Sequence, residues 1–594
     1  MRTMHLFLAF TSRAFYILRI KAFGWAMAFC LAATSWGPGL SWSSEAPVFI
    51  ELVGQHIRER IKDNKNPAAL ICRGEPLSGF RLLPLFYEER RFFPVWLDAA
   101  GLRPITQALI RTIEQADQEG LQPSDYHLDP IAAMLADMES GALMTTAGRA
   151  ALWSDLDVLL TDAFLLLSAH LSGGRVNPES LHKDWVLSEK TIDILKVLHT
   201  AVTEAQIDQV IERLSPGHAG YANLRTALRQ LRGVVEKGGW PRIPDGPTLQ
   251  PGDRDARVLT LRDRLKIGGD LEGEALSEAA PEHFDAPLEA AVKRFQSRHG
   301  LEPDGLVGRA TLVELNIPAR ERARQIELNL ERWRWLPHDL GKRYIEVNTA
   351  DFSLSAVEDH QIVMRMRVVV GRPARRTPVF SARMAYMVIN PYWTVPFTIA
   401  VEDILPKLVE DVSYLEQQSL KVYYGWDDSA PAIDPRHIDW RAYGRNHFPF
   451  RLVQAPGAHN SLGQMKFMFP NRFSVYLHDT PNRALFGKVQ RDFSSGCIRV
   501  EDAPSLAAFL LKADPDWSVE RLQTVLKTSR QHVIRIKDPV PVHLLYMTAW
   551  VDADGEVQFR KDIYKRDRAL DVGLKRKPQT LTYSLEAALP QVVR

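Results

Sequence analysis

From Phe80 to about Gly239 apolar residues recur every three or four positions, the period of a buried helix face. Ile105, Leu109 and Ile113 step by four, and Leu156, Leu159, Leu160, Phe164 and Leu167 mix threes and fours. Pro123-Ser124-Asp125 and Gly173-Gly174 punctuate the pattern and divide it into separate helices. Residues 80–239 therefore predict a helical scaffold without a reaction centre, its Asp and Glu residues on solvated faces and His127 and His170 structural. Residues 240–256 (WPRIPDGPTLQPGDRDA) concentrate Pro, Gly and Asp and predict a linker. A compact helical unit follows over 257–316. In it Leu288, Val292 and Phe295 share a helix face, Gly300 suits a C-cap, and Asp304-Gly305 makes a turn before a helix at Thr311.

From about Arg343 the period drops to two. RYIEVNT, QIVMRMRVVVG and ARMAYMVIN carry the β-branched and aromatic residues of strands, and KFMF and SVYLH continue the pattern. Helices return at Ala503–Ala513, behind Asp502 as cap and with Pro504 in the first turn, and at Ser518–Thr528. VHLLYMTAWV and VQFRKDIY flank a turn at Asp554-Gly555, predicting a hairpin over 541–566, and residues 571–594 with Lys575, Arg576 and Lys577 predict a solvated tail. Residues 408–461 are rich in Tyr, Trp, Asp and Arg but weakly periodic; they predict a lid within a domain of 340–540, and its His437, His447 and His459 are expected on the surface without a catalytic role. The chain is thus expected to be multidomain α+β.

Length agrees, because 594 residues exceed what one core can organise. A formal net charge of +2 provides no broad basic field, so nucleic acid is not an expected partner. Arg2, Arg13, Arg19 and Lys21 accompany the apolar run Ala22–Thr34, which has the length of a signal-peptide core and falls short of the roughly 20 residues of a membrane span. Residues 1–43 are expected to be an export signal cleaved near Ser41 to Glu45, with an uncleaved inner-membrane anchor as the alternative. Cys30, inside the apolar run, does not have the surroundings of a lipid-attachment site.

Removal of that segment leaves two cysteines, Cys72 and Cys497, too isolated in sequence to suggest a disulfide framework. Cys72 reads as a small buried hydrophobe. Cys497 has chemistry around it. A free thiol ionises near pH 8.5, so a thiol nucleophile needs a histidine to take its proton and backbone donors for a tetrahedral oxyanion. His478 ends one predicted strand and Ser494-Ser495-Gly496-Cys497 opens the next, with a polar loop between them long enough to fold back. Gly496 removes bulk beside the sulfur, and the amides of Gly496 and Cys497, or Ser495, are candidates for an oxyanion pocket. Arg499 lies on the same strand face as the thiol, where it either holds the scaffold or meets a substrate carboxylate. Tyr476 and Trp393 are pocket walls or ordinary aromatic core. Paired-His or Cys-cluster metal spacing and a phosphate-binding glycine loop are absent, so neither metal nor cofactor is expected.

The stretch His478-Asp479-Thr480 … Ser494-Ser495-Gly496-Cys497-Ile498-Arg499 resembles the signature of the L,D-transpeptidase (YkuD-type) family. NLERWRWLP, VVVGRPARRTPVF, NPYWTVP, ILPK and LGQMKFMFPN resemble its large YcbB-like branch; FYEERRFFPVW, GLQPSDYHL and LLTDAFL…GGRVNP match that branch's scaffold, and Ala291–Asn316 is similar to the three-helix peptidoglycan-binding module. Ser495 stands where much of the wider family has a His, which leaves the oxyanion to backbone amides or Ser495. The resemblance implies a helical scaffold domain, a peptidoglycan-binding module and a mostly-β catalytic domain with flanking helices and a lid. It further implies a periplasmic cell-wall enzyme that needs no cofactor. His478 would deprotonate Cys497, the thiolate would displace D-alanine from a tetrapeptide stem, and a second stem's diaminopimelate amine would take the acyl group in a 3–3 cross-link. Donor and acceptor stems are the partners it implies, with other cell-wall synthesis enzymes beside them, and carbapenems the inhibitors. Two other readings stay open: a cell-wall cysteine hydrolase, in which water replaces the acceptor amine, and a non-catalytic peptidoglycan-binding protein.

Overall fold

The computed structural model describes residues 46–62, 70–140, 144–186, 192–272, 281–427 and 429–578; the expected signal or anchor and residues 579–594 lie outside them. The chain divides into a unit Met1–Val48 and a unit Phe49–Arg594, and the elements that position the site belong to the second. Among the described residues no helix is long and apolar enough to cross a membrane.

Helix α1 (Thr146–Gly173) organises the scaffold. Thr145 caps it by accepting the Gly148 amide, and apolar residues on every side bury it among neighbouring helices that point Ile105, Leu109 and Ile113 inward. Its acidic residues are not on a solvated face, contrary to expectation: Asp155, Asp157 and Asp162 are buried. Asp157 accepts the Tyr87 hydroxyl at 2.6 Å and the Val95 and Trp96 amides at 2.8 Å. Asp162 accepts the Ser78 and Gly79 amides and pairs with His127 at 2.8 Å. A carboxylate is tolerated inside when donors saturate its oxygens, although burial still lifts Asp157 to about 6. Cys72 is fully buried, its thiol pushed up to about 12 by burial.

Residues 240–256 are not a free linker. Trp240 donates to the Ile317 carbonyl at 2.9 Å, Ile243 bonds in both directions with Asn316, and Leu249 bridges to Val307. The segment wraps a three-helix module of Arg257–Ile267, Ala286–Arg298 and Arg309–Leu315, whose core contains Leu288, Val292 and Phe295. Helix α2 (Ala319–Arg334) then ties the parts together. Its Arg322 pairs with Glu314 of the module at 2.5 Å, and its Arg332 pairs with Asp567 at 2.6 Å. Glu331 accepts the Arg175 and Val176 amides of the scaffold and holds Arg334 at 2.8 Å, with both members of that pair buried.

Nine strands follow: β1 (Arg343–Asn348), β2 (Ser353–Glu358), β3 (Gln361–Gly371), β4 (Phe380–Ile389), β5 (Met465–Met468), β6 (Leu477–His478), β7 (Asp492–Ser494), β8 (Ile498–Val500) and β9 (His532–Leu545). They form one sheet in the order β7-β3-β8-β6-β5-β4-β9-β1-β2, and β2 pairs with β3 as well, so the sheet closes on itself. Ile345, Leu354, Val368, Met387, Phe467, Leu477, Ile498 and Leu544 fill one core with the apolar face of α3 (Ala503–Leu511), which Asp502 caps through the Ser505 amide.

Three outlines differ from expectation. The hairpin is confined to Ala549–Val551 and Val557–Phe559, because Val542–Leu545 belong to β9 and pair in parallel with β1. Residues 571–576 are not a solvated tail: helix Arg566–Leu574 covers part of them, and the Arg175 guanidinium holds the Leu574 and Arg576 carbonyls at 2.5 and 2.6 Å. The lid is a folded subdomain that begins before residue 408. Trp393–Thr394, Leu420–Tyr424, Ala432–Ile433 and Phe450–Gln454 make a four-stranded sheet over a core of Val395, Leu405, Leu420, Val422, Trp440 and Leu452.

Removing the Glu331 carboxylate takes a buried counter-charge from Arg334, which keeps its bonds to Tyr221 and the Glu119 carbonyl, and the acceptor from two amides, a defect worth about 3 kcal/mol. Glu331→Ala is expected to lower the melting temperature by several degrees in calorimetry, while Glu139→Ala on an exposed helix face leaves it unchanged.

Candidate active site

Strand register builds the site. On β5 and β6, Lys466 stands opposite His478 and Phe467 opposite Leu477; on β6 and β8, paired in parallel, Leu477 stands opposite Ile498 and His478 opposite Arg499. Phe467, Leu477 and Ile498 face the core, so Lys466, His478 and Arg499 form a row on the opposite face. The same parallel register, two residues earlier, brings Tyr476 beside Cys497, and the Ile498 amide donates to the Tyr476 carbonyl at 3.1 Å. Tyr476 and His478 rings lie 5.7 Å apart, and the Lys466 ammonium sits 4.0 Å from the centroid of the Tyr476 ring.

The turn that presents Cys497 is held from both sides. Gly496 has φ +118°, a conformation that L side chains rarely adopt, whereas a Cβ there would find ordinary space. Backbone conformation, and not bulk beside the sulfur, is therefore the reason for glycine. Thr377 donates its hydroxyl to the Gly496 carbonyl at 2.9 Å and accepts the Gly371 amide at the same distance. Gly371 is fixed by crowding, since a Cβ on it would fall inside contact distance of the Arg375 carbonyl and the Thr377 amide. Ser494 donates its hydroxyl to the Cys497 carbonyl at 2.5 Å and accepts the Gly496 amide at 3.1 Å. Of the two amides expected at an oxyanion pocket, that of Gly496 is thus already engaged, and the Cys497 amide has no acceptor among the described residues.

Cys497, His478, Tyr476, Arg499, Ser495 and Trp393 all line one cavity of about 570 Å³. Trp393 enters it from the lid. Among the lining residues that escaped the sequence reading, Arg372, Arg375 and Phe493 lie beside the turn that presents Cys497, where the Arg372 amide donates to the Ser494 carbonyl at 2.9 Å, and Asp403 comes from the lid. Arg375 donates to the Ser495 hydroxyl at 2.9 Å, to Asp403 at 2.5 Å and to Glu402 at 2.6 Å, while Arg372 reaches Asp403 at 2.9 Å. Arg499, in contrast, makes no hydrogen bond or ion pair among the described residues, and its buried Nε has no partner. That favours a ligand over a scaffold role.

The resting charge state differs from an imidazolium–thiolate pair. His478 uses Nδ1 on the Asp479 carbonyl at 2.6 Å, which leaves Nε2 as the proton acceptor. Burial, with Arg499 and Lys466 adding to it, lowers its pKa to about 3, so the ring is neutral at physiological pH. Burial raises the Cys497 thiol, opposed by contacts from the Tyr476 amide and hydroxyl and by the charges of Lys466 and Arg499. No hydrogen bond joins His478 to Cys497; they share a face on the diagonal between two register pairs. Among the described residues no three His, Cys, Asp or Glu side chains gather where they could hold a metal ion.

This closed sheet, with a thiol and an imidazole on neighbouring strand ends, corresponds to a known domain. The family model described as "L,D-transpeptidase catalytic domain" matches residues 342–539. The chain carries a YkuD-type L,D-transpeptidase catalytic domain. Ahead of this transpeptidase domain, the models "Scaffold domain" and "Putative peptidoglycan binding domain" match residues 81–228 and 254–315. A Haemophilus influenzae protein named "Putative L,D-transpeptidase" is 36% identical over 248 residues, which are 42% of this chain and 49% of that protein. The chain therefore spans about half the length of that relative. The N-acetylmuramoyl-L-alanine amidase CwlM of Mycobacterium tuberculosis is 45% identical over 76 residues, 12% of this chain and 19% of its own length. The crystal structure of an L,D-transpeptidase from Stackebrandtia nassauensis is 12% identical and covers 51% of this chain and 96% of its own, with a TM-score of 0.20.

A neutral native imidazole has a signature in stability. Unfolded His478 takes up a proton as pH falls below its ordinary 6.5, while the native ring resists until about 3, so its contribution to stability is lost across that interval. His478→Gln removes this loss. The melting temperature of the variant relative to wild type is expected to rise as pH drops through that window, with a limit of about 1.4 kcal/mol per pH unit. Parallel curves would mean that the ring titrates normally.

Proposed function

We propose that this transpeptidase joins peptidoglycan stem peptides in 3–3 cross-links through a thioester on Cys497, releasing D-alanine. The observation that carries the reading is the lining of one cavity by Cys497, Tyr476, His478 and Arg499 on a single sheet face.

The Cys497 thiol gives its proton to His478 Nε2, and the sulfur adds to the carbonyl between the third and fourth residues of a tetrapeptide stem. The Cys497 amide receives the developing oxyanion, with the Ser495 hydroxyl, oriented by Arg375, beside it. The carbon–nitrogen bond breaks, His478 returns the proton to the departing D-alanine amine, and a thioester remains. A diaminopimelate side-chain amine of a second stem then attacks, its proton passes to His478, and sulfur leaves as the new amide forms. One peptide bond is broken and one made, so no external energy source is required. Arg499, without a protein partner, receives a carboxylate of the donor stem. On this reading the enzyme works in the periplasm, and the module at 254–315 brings it to its polymeric substrate.

Incubation of purified enzyme with tetrapeptide stems tests the reading. Cross-linked dimers are expected from wild type and none from Cys497→Ala, whereas tripeptide without dimer would favour hydrolysis. Arg499→Met is expected to raise KM for the donor tenfold or more, roughly 1.4 kcal/mol, with the melting temperature unchanged. A carbapenem is expected to add its own mass to wild type and not to Cys497→Ala in intact-protein mass spectrometry.

A further inference from the structure

Lys466 brings to the site a charge that no carboxylate among the described residues answers. It stands opposite His478 in the antiparallel register of β5 and β6, so it rises from the same face as His478 and Arg499. It is half-buried, and its ammonium rests 4.0 Å from the centroid of the Tyr476 ring. Burial disfavours that charge, and the Cys497 sulfur is the group that favours it. Tyr476 stands beside Cys497 in the β6–β8 register, and its amide and hydroxyl oppose the upward push of burial on that thiol. A cation over the face of a phenol is held there by the ring quadrupole, and it withdraws electron density from the hydroxyl, which becomes a stronger donor.

The other charged groups facing the thiol do not fill this role. A neutral His478 can accept the thiol proton, but it brings no positive charge to the sulfur beforehand. Arg372 and Arg375, beside the turn before Cys497, are neutralised by Asp403 and Glu402. Arg499 is cationic and close, yet open to the cavity and available to a ligand. Lys466 lies beneath Tyr476 and is absent from the cavity lining, so it keeps its place whether or not substrate is bound.

We propose that Lys466 is a positioning residue for the nucleophile: seated on the Tyr476 ring, its ammonium stabilises the Cys497 thiolate and keeps the phenol hydroxyl aimed at sulfur. The proton leaves Sγ for His478 Nε2 and no other bond changes. The inference rests on Cys497 being the reacting thiol, as proposed above, but its test does not require cross-linking.

The rate of Cys497 alkylation by iodoacetamide is followed between about pH 6 and pH 10, with the modified peptide identified by mass spectrometry so that buried Cys72 is not counted. Lys466→Met is expected to move the inflection upward by about one unit, which makes alkylation near neutral pH roughly tenfold slower, and Lys466→Arg is expected to restore most of the rate. Tyr476→Phe is expected to slow alkylation more in wild type than in Lys466→Met, because part of the lysine's effect passes through the phenol. If the methionine variant melts early, Lys466→Gln repeats the measurement with the polar end retained. A folded Lys466→Met or Lys466→Gln that titrates like wild type overturns the proposal, as does a folded Lys466→Arg with no recovery. A shifted profile in an enzyme that forms no dimers leaves it standing and counts against the cross-linking reading alone.

Discussion

Two rungs of parallel pairing, Leu477 with Ile498 and His478 with Arg499, decide where each reactive group stands. A slip of one residue would turn His478 and Arg499 into the hydrocarbon core and expose Leu477 and Ile498 in their place. Burial of those two apolar side chains opposes the slip, and so does the turn before β8. Thr377 holds the Gly496 carbonyl, Ser494 holds the Gly496 amide and the Cys497 carbonyl, and Gly371 lets the 372–377 loop pass close enough for the Thr377 contact to form. The geometry at sulfur therefore depends on core packing one residue away and on one glycine in a conformation that L side chains rarely adopt.

That geometry sets the electrostatics. Sheet burial takes water from both the imidazole and the thiol, which favours the neutral form of each. Across the row the two cations at Lys466 and Arg499 act in opposite senses on the two groups: they hold the imidazole deprotonated and draw the thiol toward its anion. On the proposed mechanism, proton transfer between them starts from an acceptor with Nε2 free and a thiol beside Tyr476. Because Nδ1 is committed to the Asp479 carbonyl, the tautomer is settled by the backbone, and no carboxylate is needed to orient the ring.

How much of this could be read from sequence follows from how local each signal is. Alternation in 343–349 and 361–371 marked strands correctly, because each strand carries its own period of two. Cys497, His478 and Arg499 stood out through a short motif, and the cavity gathers them. Lys466 did not stand out, since a lysine at the polar position of KFMF reads as a solvated face; its meaning comes from Tyr476, ten residues on and across a strand pair. Asp157 was misread for a similar reason: its donors, Tyr87, Val95 and Trp96, lie more than sixty residues away. The lid's strands were too short and too interrupted to show a period, although Phe450 and Leu452 do alternate inward. The linker of 240–256 carried the composition of free chain, yet Ile243 and Leu249 gave it somewhere to pack.

Arg372 and Arg375 tie the lid to the turn that presents Cys497. Arg375 spends one nitrogen on the Ser495 hydroxyl and Asp403 and the other mainly on Glu402, and both acids come from a wide π turn, Ala400–Ile404, in the lid. Arg445, further along the lid, reaches Glu402 from the other side at 3.2 Å. Taken one by one these ion pairs are partly exposed and contribute little to stability. Their value lies in direction, because a planar guanidinium bound at several points has few ways to turn. Arg375 thus joins the lid to Ser495, which is separated from Cys497 by one glycine. The lid that walls the cavity is thereby joined to the turn before Cys497 through side-chain contacts and not through the sheet.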